Sequence, residues 1–220
     1  MDQSLIKRKS AKFIRAIDSA SEMQSWFALN PHAIGVAMVG RSNVGKSTLI
    51  NSLFGNKTAR TSKTPGRTQK INIFVFTLEG DDEKEFYLYD LPGYGFAEVS
   101  KAMLKNWKDL MASFFTYMTP MTLLFNLQDA RNPNQKSDQG FYDYLNVDKL
   151  EVYLIFNKMD KLKKQKERAA LNKLKPKIYE QFKKVRQIFF VSAEKKDGTE
   201  PLESALVSYL HKMDLTVNLE

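Results

Sequence analysis

The sequence predicts a single α/β domain, and three observations carry that reading. Apolar runs of strand length at residues 34–39, 121–127, 152–156 and 188–191 alternate with segments whose apolar residues recur at helical spacing. The first run passes through a glycine-rich loop directly into a helical pattern, Thr48, Leu49, Ile50 and Leu53. The 220 residues, 43% of them hydrophobic, are enough for one well-buried domain, with no internal repeat and no second domain.

Mixed charge and high apolar content exclude a disordered chain. With no cysteine there are no disulfides or thiolate metal sites, which suits a reducing cytosol, and a cytoplasmic protein is expected. The first nine residues hold no signal-peptide core. Nothing later approaches about 18 consecutive apolar residues, so neither secretion nor membrane spanning is expected. The net charge of +9 suits a polyanionic partner or a merely basic surface, and charge alone does not choose.

Residues 7–15 are basic, with Phe13 and Ile14 between the charges, and read as an edge strand or a short helix. In residues 19–30, Met23, Trp26, Phe27 and Leu29 form an apolar set that packs on the domain's flank, and Pro31 stops any helix. His32 and His211 are far apart in sequence and are not read as a metal pair.

After the first buried strand come Gly40, Arg41, Ser42, Asn43, Val44, Gly45, Lys46 and Ser47, with Thr48 opening the helix. Gly, four residues, then Gly-Lys-Ser is the phosphate-binding loop pattern, and it stands in the strand-to-helix context the pattern requires. The glycines let successive N–H groups turn toward phosphate oxygens. Lys46 would neutralise the β- and γ-phosphates and Ser47 would bind Mg²⁺. A nucleoside triphosphate ligand follows.

Residues 55–70 form a polar, basic loop, and Thr64, Pro65, Gly66, Arg67 and Thr68 lie where a nucleotide switch would. Residues 71–77 alternate as a strand, residues 79–84 make an acidic turn, and residues 86–89 return as a second strand. That strand ends in Asp90, Leu91, Pro92 and Gly93. Asp90 would hold Mg²⁺ through water, and the Gly93 N–H would meet the γ-phosphate.

Residues 100–117 carry Leu110, Met111, Phe114 and Phe115 at helical spacing, a core face, and residues 134–145 read as a short helix. The strand at 152–156 runs into Asn157, Lys158, Met159 and Asp160. A carboxylate at Asp160 can accept hydrogen bonds from guanine N1–H and the 2-amino group, and adenine offers neither donor there. Asn157 would brace this loop against the phosphate loop, and the Lys158 stem would lie along the base. Residues 161–186 are basic with an apolar stripe of Leu171, Leu174, Ile178 and Phe182, and Pro176 is expected to kink or split the helix. Those charges are either a solvated face or a surface for RNA phosphates. Val191, Ser192 and Ala193 end the last strand, where a backbone group would reach the base carbonyl, and residues 199–210 close the chain as a helix.

Taken together these motifs resemble a small Ras-like G domain, and more closely the EngB (YihA/YsxC) family within the Era/TrmE-like GTPases. The resemblance covers residues 12–210 and is most specific in the phosphate loop, in residues 61–69 and in Asp90 to Gly95. It implies a six-stranded, mostly parallel sheet with one antiparallel strand and helices on both faces. A G domain is expected over 32–214, with an extension at 1–31 packed on it and a tail at 215–220. The family match implies slow, Mg²⁺-dependent GTP hydrolysis, a role in large ribosomal subunit assembly, and a requirement in cell division and septation.

By the same resemblance Thr68 is the switch threonine on Mg²⁺ and the γ-phosphate, and Lys46, Thr68 and Gly93 form the catalytic set. Asn43 would help to hold K⁺ beside the phosphates. The implied partners are GTP or GDP and a large-subunit precursor or its RNA, with no membrane, no DNA and a monomeric state. This chain departs from the family at two points, with Asn157 in place of the usual Thr and Glu194 in place of the usual Leu. Tyr94 stands where many Ras-like proteins place a water-orienting Gln and has no amide for that part.

Overall fold

Strands β1 (Lys12–Ile17), β2 (Gly35–Gly40), β3 (Ile71–Leu78), β4 (Asp81–Asp90), β5 (Thr122–Asp129), β6 (Val152–Asn157) and β7 (Val185–Phe190) lie in one sheet, ordered β1-β3-β4-β2-β5-β6-β7. The computed structural model describes residues 5–55, 58–59, 70–95, 100–145 and 150–218, the side chains of residues 143 and 144 excepted. Among the described strands β3 alone runs against the rest: it is antiparallel to both neighbours, and the other pairings are parallel. β2, β5 and β6 are buried along their whole length, because helices cover both faces of the sheet.

One face carries α1 (Ala20–Leu29), α3 (Lys101–Tyr117), α4 (Lys136–Tyr144) and α5 (Gln165–Gln181), and the other carries α2 (Lys46–Phe54) and α6 (Thr199–Val217). On the first face, Phe114 meets Phe27 at 5.5 Å and Tyr89 at 5.4 Å, so α1 and α3 are locked to β4 by aromatic rings. On the second, Leu49, Ile50, Leu53 and Phe54 of α2 and Leu202, Leu206 and Leu210 of α6 are buried against the sheet. Because β2, β4, β5, β6 and β7 are parallel, the loops at their carboxyl ends emerge on one edge. In open α/β sheets that edge is the ligand crevice.

Among the described residues the sheet has seven strands, where the resemblance implied six. The additional strand is β1, in which Phe13 lies opposite Phe74 and Ile17 opposite Ile71. A bulge between Phe13 and Arg15 shifts the register, so its apolar residues do not alternate, and the sequence alone left strand and helix open. Two further expectations are corrected. α5 is not split at Pro176 but continues through it as one helix. Both Pro176 and Asn172, whose carbonyl the missing N–H would have met, lie on the exposed face, where water can take the free acceptor. The returning strand starts at Asp81 rather than residue 86, which shortens the turn to Glu79 and Gly80, the latter at φ 82°.

Candidate nucleotide-binding site

β2 delivers Gly40 to the crevice, and a side chain there is sterically excluded, since a Cβ would stand 2.7 Å from the Leu127 carbonyl oxygen. Asn43 (φ 61°) and Gly45 (φ 96°) take left-handed conformations that curl the loop back into α2. Gly45 occupies the N-cap and offers no side chain to the first N–H groups of α2, which stay available to an anion. Lys46, Ser47 and Thr48 form the first turn. The Lys46 ammonium pairs with the Asp90 carboxylate, both largely sheltered from solvent, so the end of β4 is held against the start of α2.

The chain leaving β4 follows the phosphate loop closely. Leu91 N–H donates to Met38 O at 3.0 Å, Tyr94 N–H to Gly40 O at 3.2 Å, and Ser42 N–H to Tyr94 O at 3.2 Å. Leu91 and Pro92 are buried beneath this contact. At Gly93 a Cβ would stand 3.1 Å from Gly40 O, so the approach is close enough to favour glycine.

β6 and β7 supply the third side. The Asn157 side chain, 2% exposed as a residue, donates to Val44 O at 3.0 Å and accepts from Ala193 N–H at 3.0 Å. Lys158 (φ 68°) turns back so that its ammonium donates to Asn43 O at 2.5 Å. Asp160 lies in the 3₁₀ turn Met159–Lys161, fixed by Met159 N–H to Val191 O at 3.1 Å. Its Oδ1 accepts from the Ser192 hydroxyl at 2.6 Å, and its Oδ2 meets Lys161 at 3.0 Å. The Ser192 hydrogen bond, followed by Lys161, holds the Asp160 carboxyl below its usual range and keeps it an acceptor. Glu194 points outward and meets Lys161 at 3.3 Å, so its charge stays at the rim.

The structure therefore brings Gly40 to Thr48, Asp90 to Gly93, Asn157 to Asp160 and Val191 to Ala193 to one edge of the sheet. Gly66, Arg67 and Thr68 lie outside the described residues.

Sequence reading missed Asp129. It sits opposite Asn157 in the β5–β6 register, meets Lys158 at 3.1 Å, and accepts from Arg131 Nε at 2.9 Å and Nη2 at 2.6 Å. Burial pushes its carboxyl up, but Arg131 and Lys158 outweigh that and bring it down to about 2. The available signal was its position: an acid ending a buried strand beside the strand that carries Asn157 and Lys158.

A Gly-Lys-Ser loop between strand and helix, an aspartate at the facing strand end and an Asn-Lys-x-Asp turn define a P-loop GTPase domain, and the model of a family described as 50S ribosome-binding GTPase matches residues 35–158. A relative named probable GTP-binding protein EngB, from Brucella melitensis, is 35% identical over 210 residues, covering 94% of this chain and 85% of its own. The chain belongs to the EngB family of GTP-binding proteins. A relative of the same name from Fusobacterium nucleatum is 43% identical over 143 residues, 64% of this chain and 70% of its own. A crystal structure of a probable GTP-binding protein EngB matches at TM-score 0.60 and 25% identity, over 81% of this chain and 99% of that one. Era in complex with MgGDPNP and a 16S ribosomal RNA segment matches at TM-score 0.67 and 24% identity, over 81% of this chain and 57% of Era, a likeness of fold.

Proposed function

We propose that this protein is a slow GTP-hydrolysing switch that acts in assembly of the large ribosomal subunit and is thereby required for normal cell division and septation. The observation that carries the guanine part is the Asp160 carboxylate, fixed by Ser192 at the mouth of the crevice with Asn157 bracing its loop against the phosphate loop. Two acceptor oxygens held there match the two donors on the guanine edge. Lys46 would exchange Asp90 for the β- and γ-phosphates, and the Gly93 N–H would meet the γ-phosphate. The backbone of Val191, Ser192 and Ala193 would face the base.

The residues present fit a magnesium ion. The Ser47 hydroxyl lies in the first turn of α2, and Asp90 is held at that same turn by Lys46. Ser47 would hold the ion directly and Asp90 through water, with Thr68 from the switch loop; when bound, the ion would neutralise charge on the β- and γ-phosphate oxygens. Asn43 fits K⁺. It is exposed in the loop, and its side-chain carbonyl makes no hydrogen bond among the described residues. A short-chain carbonyl beside the phosphates is a suitable ligand for a large monovalent cation.

The partner side rests on charge. Lys163, Lys164, Lys166, Arg168, Lys173, Lys177, Lys183 and Arg186 are exposed on and around α5, a surface suited to RNA phosphates of a large-subunit precursor. Among the described residues no helix is long and apolar enough to cross a membrane. We place the protein in the cytoplasm as a monomer.

Co-sedimentation with large-subunit precursors, in GDP and in a non-hydrolysable GTP analogue, tests this reading. Association promoted by the analogue supports it; association indifferent to nucleotide would replace the switch with a scaffold whose hydrolysis is incidental.

A further inference from the structure

We infer that Tyr94, anchored by Asp138 and Asn126, is a positioning residue that presets the Gly93 N–H for the γ-phosphate and so raises the affinity for GTP relative to GDP. The inference rests on the GTPase reading above. Its starting point is that the position following Gly93, where a water-orienting amide would be exposed, is instead among the most firmly held in the crevice.

The Tyr94 ring is buried and stacks on Phe141, with centroids 4.6 Å apart and planes 9° from parallel. Its hydroxyl donates to Asp138 Oδ1 at 2.9 Å and accepts from the Asn126 amide at 3.1 Å. Asn126 in turn accepts from the Tyr142 hydroxyl at 3.0 Å, so its side-chain oxygen is also satisfied. Asp138 is 0% exposed and takes its remaining contacts from Gln135 N–H at 2.8 Å and from Arg41, whose Nε lies 3.1 Å from Oδ1. Arg41 is itself a phosphate-loop residue and also donates to Asn132 O at 2.6 Å. Burial, followed by the nearby Asp138 charge, pushes the Tyr94 phenol well up, so it remains a donor throughout the physiological range.

One carboxylate on α4 thus grips Tyr94, which follows Gly93 in the chain, and Arg41, which pairs with Tyr94 across the crevice. Tyr94 adds main-chain bonds to Gly40 and Ser42 on either side. A γ-phosphate arriving at Gly93 meets a donor already in place and pays little to order it. GDP has no group that reaches Gly93 and gains nothing from the anchor. The hydroxyl is taken up by Asp138 and Asn126 and is not free to orient an attacking water.

Tyr94→Phe keeps the ring stack and removes only the anchor. Binding constants for GDP and for a non-hydrolysable GTP analogue, measured on parent and variant, give the decisive ratio. We expect the analogue to weaken by about tenfold, because the donor it uses must then be ordered on binding, with GDP within twofold. Asp138→Asn, which keeps the shape, should move the ratio in the same direction and serves if the first variant folds poorly. Equal changes for both nucleotides, or none, would overturn the inference while leaving the GTPase reading intact. A parent that binds neither nucleotide would overturn that reading, and the inference with it.

Discussion

Asn157 and Val44, 113 positions apart in sequence, are joined by one hydrogen bond of 3.0 Å from the Asn157 amide to the Val44 carbonyl. The same amide accepts from Ala193, so a single buried side chain ties the phosphate loop to both loops of the candidate base site. Asn157→Ala would strand a carbonyl and an N–H, at about 1–3 kcal/mol. GDP affinity measured by titration should fall by tenfold or more, together with a lower melting temperature. Unchanged affinity would show that the three loops keep their register without the brace.

Asp129 gives a pH-dependent prediction. Its carboxyl is held down to about 2 in the folded protein, below the ordinary 3.8. A depressed carboxylate contributes stability that is fully present above its unfolded pKa and lost as pH falls through its folded one. Asp129→Asn should therefore cost about 1 kcal/mol near pH 7, discounted for solvent screening. The gap to the parent should narrow as pH drops from 5 toward 2. Urea unfolding of both proteins across that range measures it, and a gap that widens on acidification would contradict the pairing with Arg131 and Lys158.

The loops of the candidate site were legible because each follows an apolar run that only a buried parallel strand explains, as residues 34–39 and 152–156 do. What was not legible depended on partners distant in sequence. β1 is a strand because β3 offers it an edge, and its bulge hides the period-two signal. α5 survives Pro176 because the affected turn faces water, which composition does not reveal. Asp138 read as one polar residue in a short helix; that it is buried under Tyr94 and Arg41 follows only from how α4 packs.

The basic face of α5 should show itself in salt dependence. If Lys173 and Lys177 meet RNA phosphates, replacing both with Gln should weaken association with large-subunit precursors. It should also flatten the slope of log affinity against log salt by nearly two. A slope unchanged in the double variant would move the contact elsewhere on the surface.

Hydrolysis without a partner should be slow, on the order of one turnover per many minutes, since no water-orienting Gln follows Gly93. The rate should be higher in KCl than in NaCl at equal ionic strength, and that difference should vanish in Asn43→Ala. Equal rates in the two salts for the parent would remove K⁺ from the account.

Guanine recognition through Asp160 is the central claim, and calorimetric titration of Asp160→Asn with GDP and xanthosine diphosphate tests it most directly. An amide presents a donor where two guanine protons need an acceptor, whereas xanthine carries an oxygen at its 2-position. GDP should bind the variant more weakly by a few kcal/mol, and xanthosine diphosphate should bind it more tightly than it binds the parent. Equal GDP affinity in the two proteins would contradict the assignment.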